Sequence, residues 1–129
     1  ITEASGIATA SAFDVGATTT INTNTTLSTG TTAALAQADE FCVGSWNGDG
    51  SGASSVVSVS NSFTIPTNGD QWGVSPRSLL AYKVLAATTG VESTATLRDT
   101  VAGTGLVGCY KAAAVASSAG RLLLLGVGK

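Results

Sequence analysis

The chain has 129 residues, enough for one domain and seldom for two. Charged residues make up 11%, against about 25% in ordinary domains, and six Lys plus Arg against eight Asp plus Glu leave no basic field for nucleic acid. Histidine is absent, which excludes any mechanism built on imidazole, and Ala, Thr, Gly and Ser supply more than half the residues, which excludes a coiled coil with charged flanks.

Residues 1 to 12 (ITEASGIATASA) read as a small-residue arm with little of its own to bury. Phe13 to Val15 is a short strand run, and Thr18 to Leu27 is a long Thr-rich one anchored by Ile21 and Leu27. Thr and Val favour strands because a branched Cβ suits a pleated surface. Asp39 to Trp46 has apolar residues on both faces, as a central strand would. The run from Asn47 to Gly52 then reads as a turn, rich in glycines that reach positive φ. Ser55 to Ser60 alternates Val57 and Val59 with Ser, and Pro66 ends the next run, Ser62 to Ile65, because proline cannot donate to a ladder. Thr67 to Pro76 is a loop around Asn68-Gly69-Asp70. Further strand runs are Ser78 to Ala86, Ser93 to Leu97, Gly103 to Ala114 and Arg121 to Val127. Thr32 to Asp39 and Lys111 to Ser117 have some helical composition but read as turn and strand beside their β neighbours.

About eight strands, near ten residues apart, predict an all-β fold: an antiparallel, jelly-roll-like β-sandwich over residues 13–129, preceded by the arm. The longest strongly apolar run, Leu122 to Leu125, is far short of the roughly 20 residues of a spanning helix. No signal-peptide pattern opens the chain, so a leader is expected to be absent or already removed.

The expectation for Cys42 and Cys109 is two buried free thiols, with one disulfide between paired strands as the alternative. Two thiols without histidine do not close a zinc sphere, so neither metal nor cofactor is expected. Asp39 and Glu40 are adjacent in a strand and point to opposite faces, so they read as a solvated strand start rather than an acid/base pair. Asn47-Gly48-Asp49-Gly50 lacks the further oxygen ligands of a calcium loop. Serines and threonines find no base, and no S-x-x-K occurs, so the chain reads as a non-enzyme. Trp46 and Trp72, with Asp70 as a polar partner, are the candidate glycan platform.

Leu35 to Trp46 (LAQADEFCVGSW) is similar to a segment of β-sandwich domains in phage structural proteins and some secreted bacterial proteins, where Leu-x-Gln-x-Asp/Asn-Glu leads into an apolar strand. Leu80 to Leu97 (LAYKVLAATTGVESTATL) and Gly105 to Ala112 (GLVGCYKA) resemble the same domains. The likeness covers roughly residues 26 to 115 and departs from the pattern at Arg121 to Lys129, an added apolar strand. It implies a structural or adhesive role and carries no catalytic residue.

A surface of Ser, Thr, Ala and Gly desolvates more easily than a charged one, so it suits a chain covered by neighbours. The leading expectation is therefore a small decoration or cement protein on a phage capsid exterior. It would meet capsid protein and copies of itself, as a homotrimer or another symmetric oligomer, and neither nucleic acid nor membrane. The candidate contacts are Ile1 and Ile7 in the arm, Trp72 and Arg77 in or beside the loop, and Leu124 in the tail. The alternative is a carbohydrate-binding or adhesin module of a phage tail, a fibre or a secreted protein.

Overall fold

The structure, a computed structural model, describes residues 5–49, 56–70 and 77–113. Five strands form one antiparallel sheet: β1 Phe13–Ser28, β2 Glu40–Asp49, β3 Val56–Val59, β4 Arg77–Leu85 and β5 Thr94–Tyr110. Their order is β1-β5-β2-β4, and β3 pairs with β5 off that path. The fold is all-β and antiparallel, as the Thr and Val alternation predicts.

Among the described residues there are five strands where eight were expected for the chain, partly because expected neighbours fuse. Phe13 to Val15 and Thr18 to Leu27 are one strand, β1, and Ser93 to Leu97 runs on into β5. Ser62 to Ile65 contributes only an isolated bridge, Thr64 to Tyr82. Arg121 to Val127 lies outside the described residues. Asn47 and Asp49, expected in a turn, instead extend β2, with Asp49 opposite Ala102.

The two long strands bend together. The β1–β5 register slips between Ile21 and Thr26, where the Asn24 side chain accepts hydrogen bonds from the Thr25 and Thr26 amides at 2.7 and 3.3 Å. Such local capture by Asn frees residues from the ladder and makes a bulge. Beyond it the chain crosses back over Gly105, where a Cβ would collide with the Ser28 carbonyl. Glycine is needed there for close backbone approach.

Residues 29–35 run beside 88–93, with Thr32 N–H donating to the Val91 carbonyl at 3.0 Å and Leu35 N–H to the Thr88 carbonyl at 3.0 Å. The buried hydroxyl oxygens of Thr29 and Thr32 accept from the Ser93 and Val91 amides. Thr32 to Asp39 is thus non-helical, as expected. The β3 chain reverses through Asn61 and Ser62, both at positive φ, and Phe63 returns to the core.

The core gathers Leu27, Leu35, Phe63, Leu79, Leu97 and Val107 around Trp46. Cys42 and Cys109 lie within it and form a disulfide, with Cα atoms 4.1 Å apart. The expectation of free thiols is therefore corrected. The register sets the two cysteines directly opposite on β2 and β5, a relation that neither residue's local sequence reveals. Within the described part of the arm, residues 5–12, Ile7 bridges Ala112, and the Ala8 amide donates to the Lys111 carbonyl at 2.9 Å.

Candidate functional site

β2 alternates buried and half-buried residues. Glu40, Cys42, Gly44 and Trp46 point inward, while Phe41, Val43 and Ser45 face out. Register then sets Phe13 of β1, Tyr110 of β5, Phe41 of β2 and Val84 of β4 in one row across four strands. Behind it come Gly108, Val43 and Tyr82, then Thr18, Leu106, Ser45 and Leu80. These positions carry no charge, and their large side chains stay partly or widely open, with Phe13 56%, Val84 58% and Leu106 41% exposed.

The aromatics are ordered among themselves. Phe13 meets Tyr110 edge-on at 5.9 Å, and Phe41 lies 5.7 Å from Tyr82. Gly16 fits where backbone and ring come close: a Cβ there would sit 2.9 Å from the Val107 carbonyl oxygen and 3.3 Å from Cζ of Phe13. Phe13, Gly16, Thr18, Leu106 and Tyr110 line a shallow depression of about 610 Å³. The outward side of the sheet is thus an open, largely apolar face.

At the end of the inner face beside this row, three ionisable groups from adjacent strands meet. Lys111, just past β5, reaches the Asp14 carboxylate, Nζ to Oδ1, at 3.2 Å. The Ala36 amide donates to the other oxygen, Oδ2, at 2.7 Å. Those contacts, the amide first, hold the Asp14 carboxyl below its ordinary value. Glu40 is fully buried, which corrects its reading as part of a solvated strand start. Asp39 beside it takes positive φ and stays exposed, turning the chain so that Glu40 enters the sheet facing inward. Burial, and then the neighbouring Asp14 charge, push the Glu40 carboxyl up.

Of the sequence-predicted contacts, Ile7 and Arg77 lie among the described residues. Ile7 is half-buried on its bridge to Ala112. Arg77 opens β4 and lines a second cleft, about 380 Å³, with Asn47, Asp49 and Thr104. Ile1, Trp72 and Leu124 lie outside the described residues. Trp46 is wholly buried, so it offers no stacking face to a sugar, and Asp70 sits at the sheet edge opposite Leu79. Neither the outward row nor the Asp14–Glu40–Lys111 group was picked out from the sequence. A signal for the first was the two-faced apolarity of Phe41 to Trp46, which a sheet with one covered face does not need.

Among the described residues no group of three or more Cys, Asp or Glu is placed to hold a metal ion, and no helix is long and apolar enough to cross a membrane. No protein-family model, curated protein or solved structure matches the chain.

Proposed function

We propose that the chain is a non-catalytic structural protein that works by contact, a small decoration or cement protein on the exterior of a phage head. In this reading its sheet belongs to a jelly-roll-like sandwich, and it binds capsid protein and copies of itself in a symmetric oligomer such as a trimer. The observation that carries the reading is the uncharged outward row Phe13, Tyr110, Phe41 and Val84. Covering it removes aromatic and aliphatic area from water without desolvating an ion. Symmetry then multiplies a modest contact into strong attachment. The Cys42–Cys109 disulfide supports a place outside a reducing cell interior, as on a released particle.

Copy number in purified particles tests the reading. A cement protein is stoichiometric with a capsid subunit or capsomer, whereas a few copies per particle, or none, overturns it. The disulfide also favours a second reading, an adhesin module of a tail, a fibre or a secreted protein. Its polar candidate surface is the cleft of Asn47, Asp49, Arg77 and Thr104. Glycan binding lost in Arg77→Ala would support that role, and no binding across broad glycan arrays would remove it.

A further inference from the structure

Strand register places an amine, a carboxylate and a buried carboxyl group in one cluster. Tyr110 stands opposite Phe13 on one side and Phe41 on the other, so the next residue, Lys111, follows beside Ala12, whose carbonyl accepts from its amide at 2.8 Å, and its side chain reaches back diagonally to Asp14 at the register shift between Phe13 and Gly16. Lys111 Nζ lies 3.2 Å from Asp14 Oδ1, within reach of the carbonyl carbon behind it. Each carboxyl is fixed by one backbone amide, Ala36 on Asp14 Oδ2 and Gln37 on Glu40 Oε1 at 3.3 Å. Oε2 of Glu40 is buried and has no donor among the described residues. Burial first, and then the Asp14 charge, push the Glu40 carboxyl up, so Glu40 is the carboxyl of the two that more readily keeps a proton.

The geometry points to an intramolecular amide cross-link between Lys111 Nζ and Asp14 Cγ, made by the folded chain itself with Glu40 as proton carrier. The ion pair first passes its proton from the ammonium to the carboxyl pair, which leaves a neutral amine facing a neutral acid. The amine nitrogen attacks Asp14 Cγ, and a C–N bond forms. Glu40, the second carboxyl of the cluster, gives its proton to the departing hydroxyl and recovers one from nitrogen. A C–O bond breaks and one water leaves. The ammonium and carboxylate together equal the amide plus water, so no oxidant, metal or co-reactant enters. Burial at the carboxyl end favours this outcome, because the Asp14 side chain is 8% exposed and charge is disfavoured there, while the Lys111 side chain stays 29% exposed. The cross-link would staple the start of β1 to the end of β5.

Intact mass of the purified full chain, denatured and fully reduced, reads the bond directly. The expected mass is one water below the sequence mass. Trypsin should no longer cut after Lys111, and the peptide ending at Arg77 should stay joined to the one spanning Lys111 after reduction. That last condition matters because the Cys42–Cys109 disulfide joins the same two peptides. Lys111→Arg keeps the positive charge and should restore the full mass, as should Glu40→Gln. A reduced wild-type chain of full sequence mass, cut normally after Lys111, overturns the cross-link. An amide that still forms in Glu40→Gln overturns the role given to Glu40.

Discussion

The indole of Trp46 lies against Gly44, two residues back on the inner face of β2, so closely that a Cβ at Gly44 would sit 2.6 Å from Cη2 and 3.1 Å from Cζ3 of the ring. The pair explains how so large a side chain is wholly buried in a sheet built mostly of small residues. Trp46 cannot move outward without leaving the core, and position 44 cannot gain even a methyl without displacing it. Gly44→Ala is therefore expected to cost about 1–3 kcal/mol, the usual range for overpacking a full core. Denaturant unfolding followed by tryptophan fluorescence measures it, and a neutral result would mean that the indole has another resting place.

The Cys42–Cys109 bond joins residues 67 apart in sequence. Closing a loop of that size restrains the unfolded chain by roughly 2–4 kcal/mol. Replacing both cysteines by alanine should lower the melting temperature by about 10 °C. Calorimetry on wild type with and without reductant supplies the control, and an unchanged melting point would show the bond to be absent in solution.

The outward row predicts a separation of stability from assembly. Val84 is 58% exposed, so Val84→Lys should alter unfolding of the isolated chain by about 0.5 kcal/mol or less. The same charge would be buried unpaired in a subunit contact and should abolish it. Analytical ultracentrifugation and particle-binding assays read the second effect. Normal assembly of Val84→Lys would exclude this end of the face from the contact.

Acid sensitivity has an identifiable source in Glu92. Thr31 Oγ1 and Ser28 Oγ donate to its two oxygens at 2.8 and 2.9 Å and hold its carboxyl below the ordinary 4.5. A carboxyl lowered by folding stabilises the fold above that unfolded value and loses the contribution as pH falls through the lowered folded one. Glu92→Gln should therefore flatten the decline in stability below about pH 4.5, read as the urea midpoint against pH. Glu40 has the opposite sign. Its contribution is full below 4.5 and fades as pH rises through its raised value, so the two substitutions should change different limbs of the same curve.

Much of the strand content was legible because it rests on local chemistry. The β2 core from Glu40 to Trp46 was readable from its apolar run, and β4 from Leu79, Leu80, Tyr82, Val84 and Leu85. At Asn47, where a turn was expected to begin, β2 instead runs on to Asp49, because pairing with Thr104 and Gly103 on β5 carries it past Gly48, which local propensity reads as a stop. The same non-local pairing kept the outward row and the Lys111 cluster hidden. Each needs the register of β1 and β2 against β5, and period-two alternation tells only which residues share a face within one strand.

Composition and alternation alone determined that this is an all-β chain, poor in charge and without imidazole chemistry. Tertiary structure decided which distant residues became neighbours: Cys42 with Cys109, Lys111 with Asp14 and Glu40, and Phe13 with Tyr110. The reason is that side-chain direction along a strand is set by its own backbone, whereas the partner across a ladder is set by how the whole sheet shifts into register to bury Trp46, Leu79 and Val107.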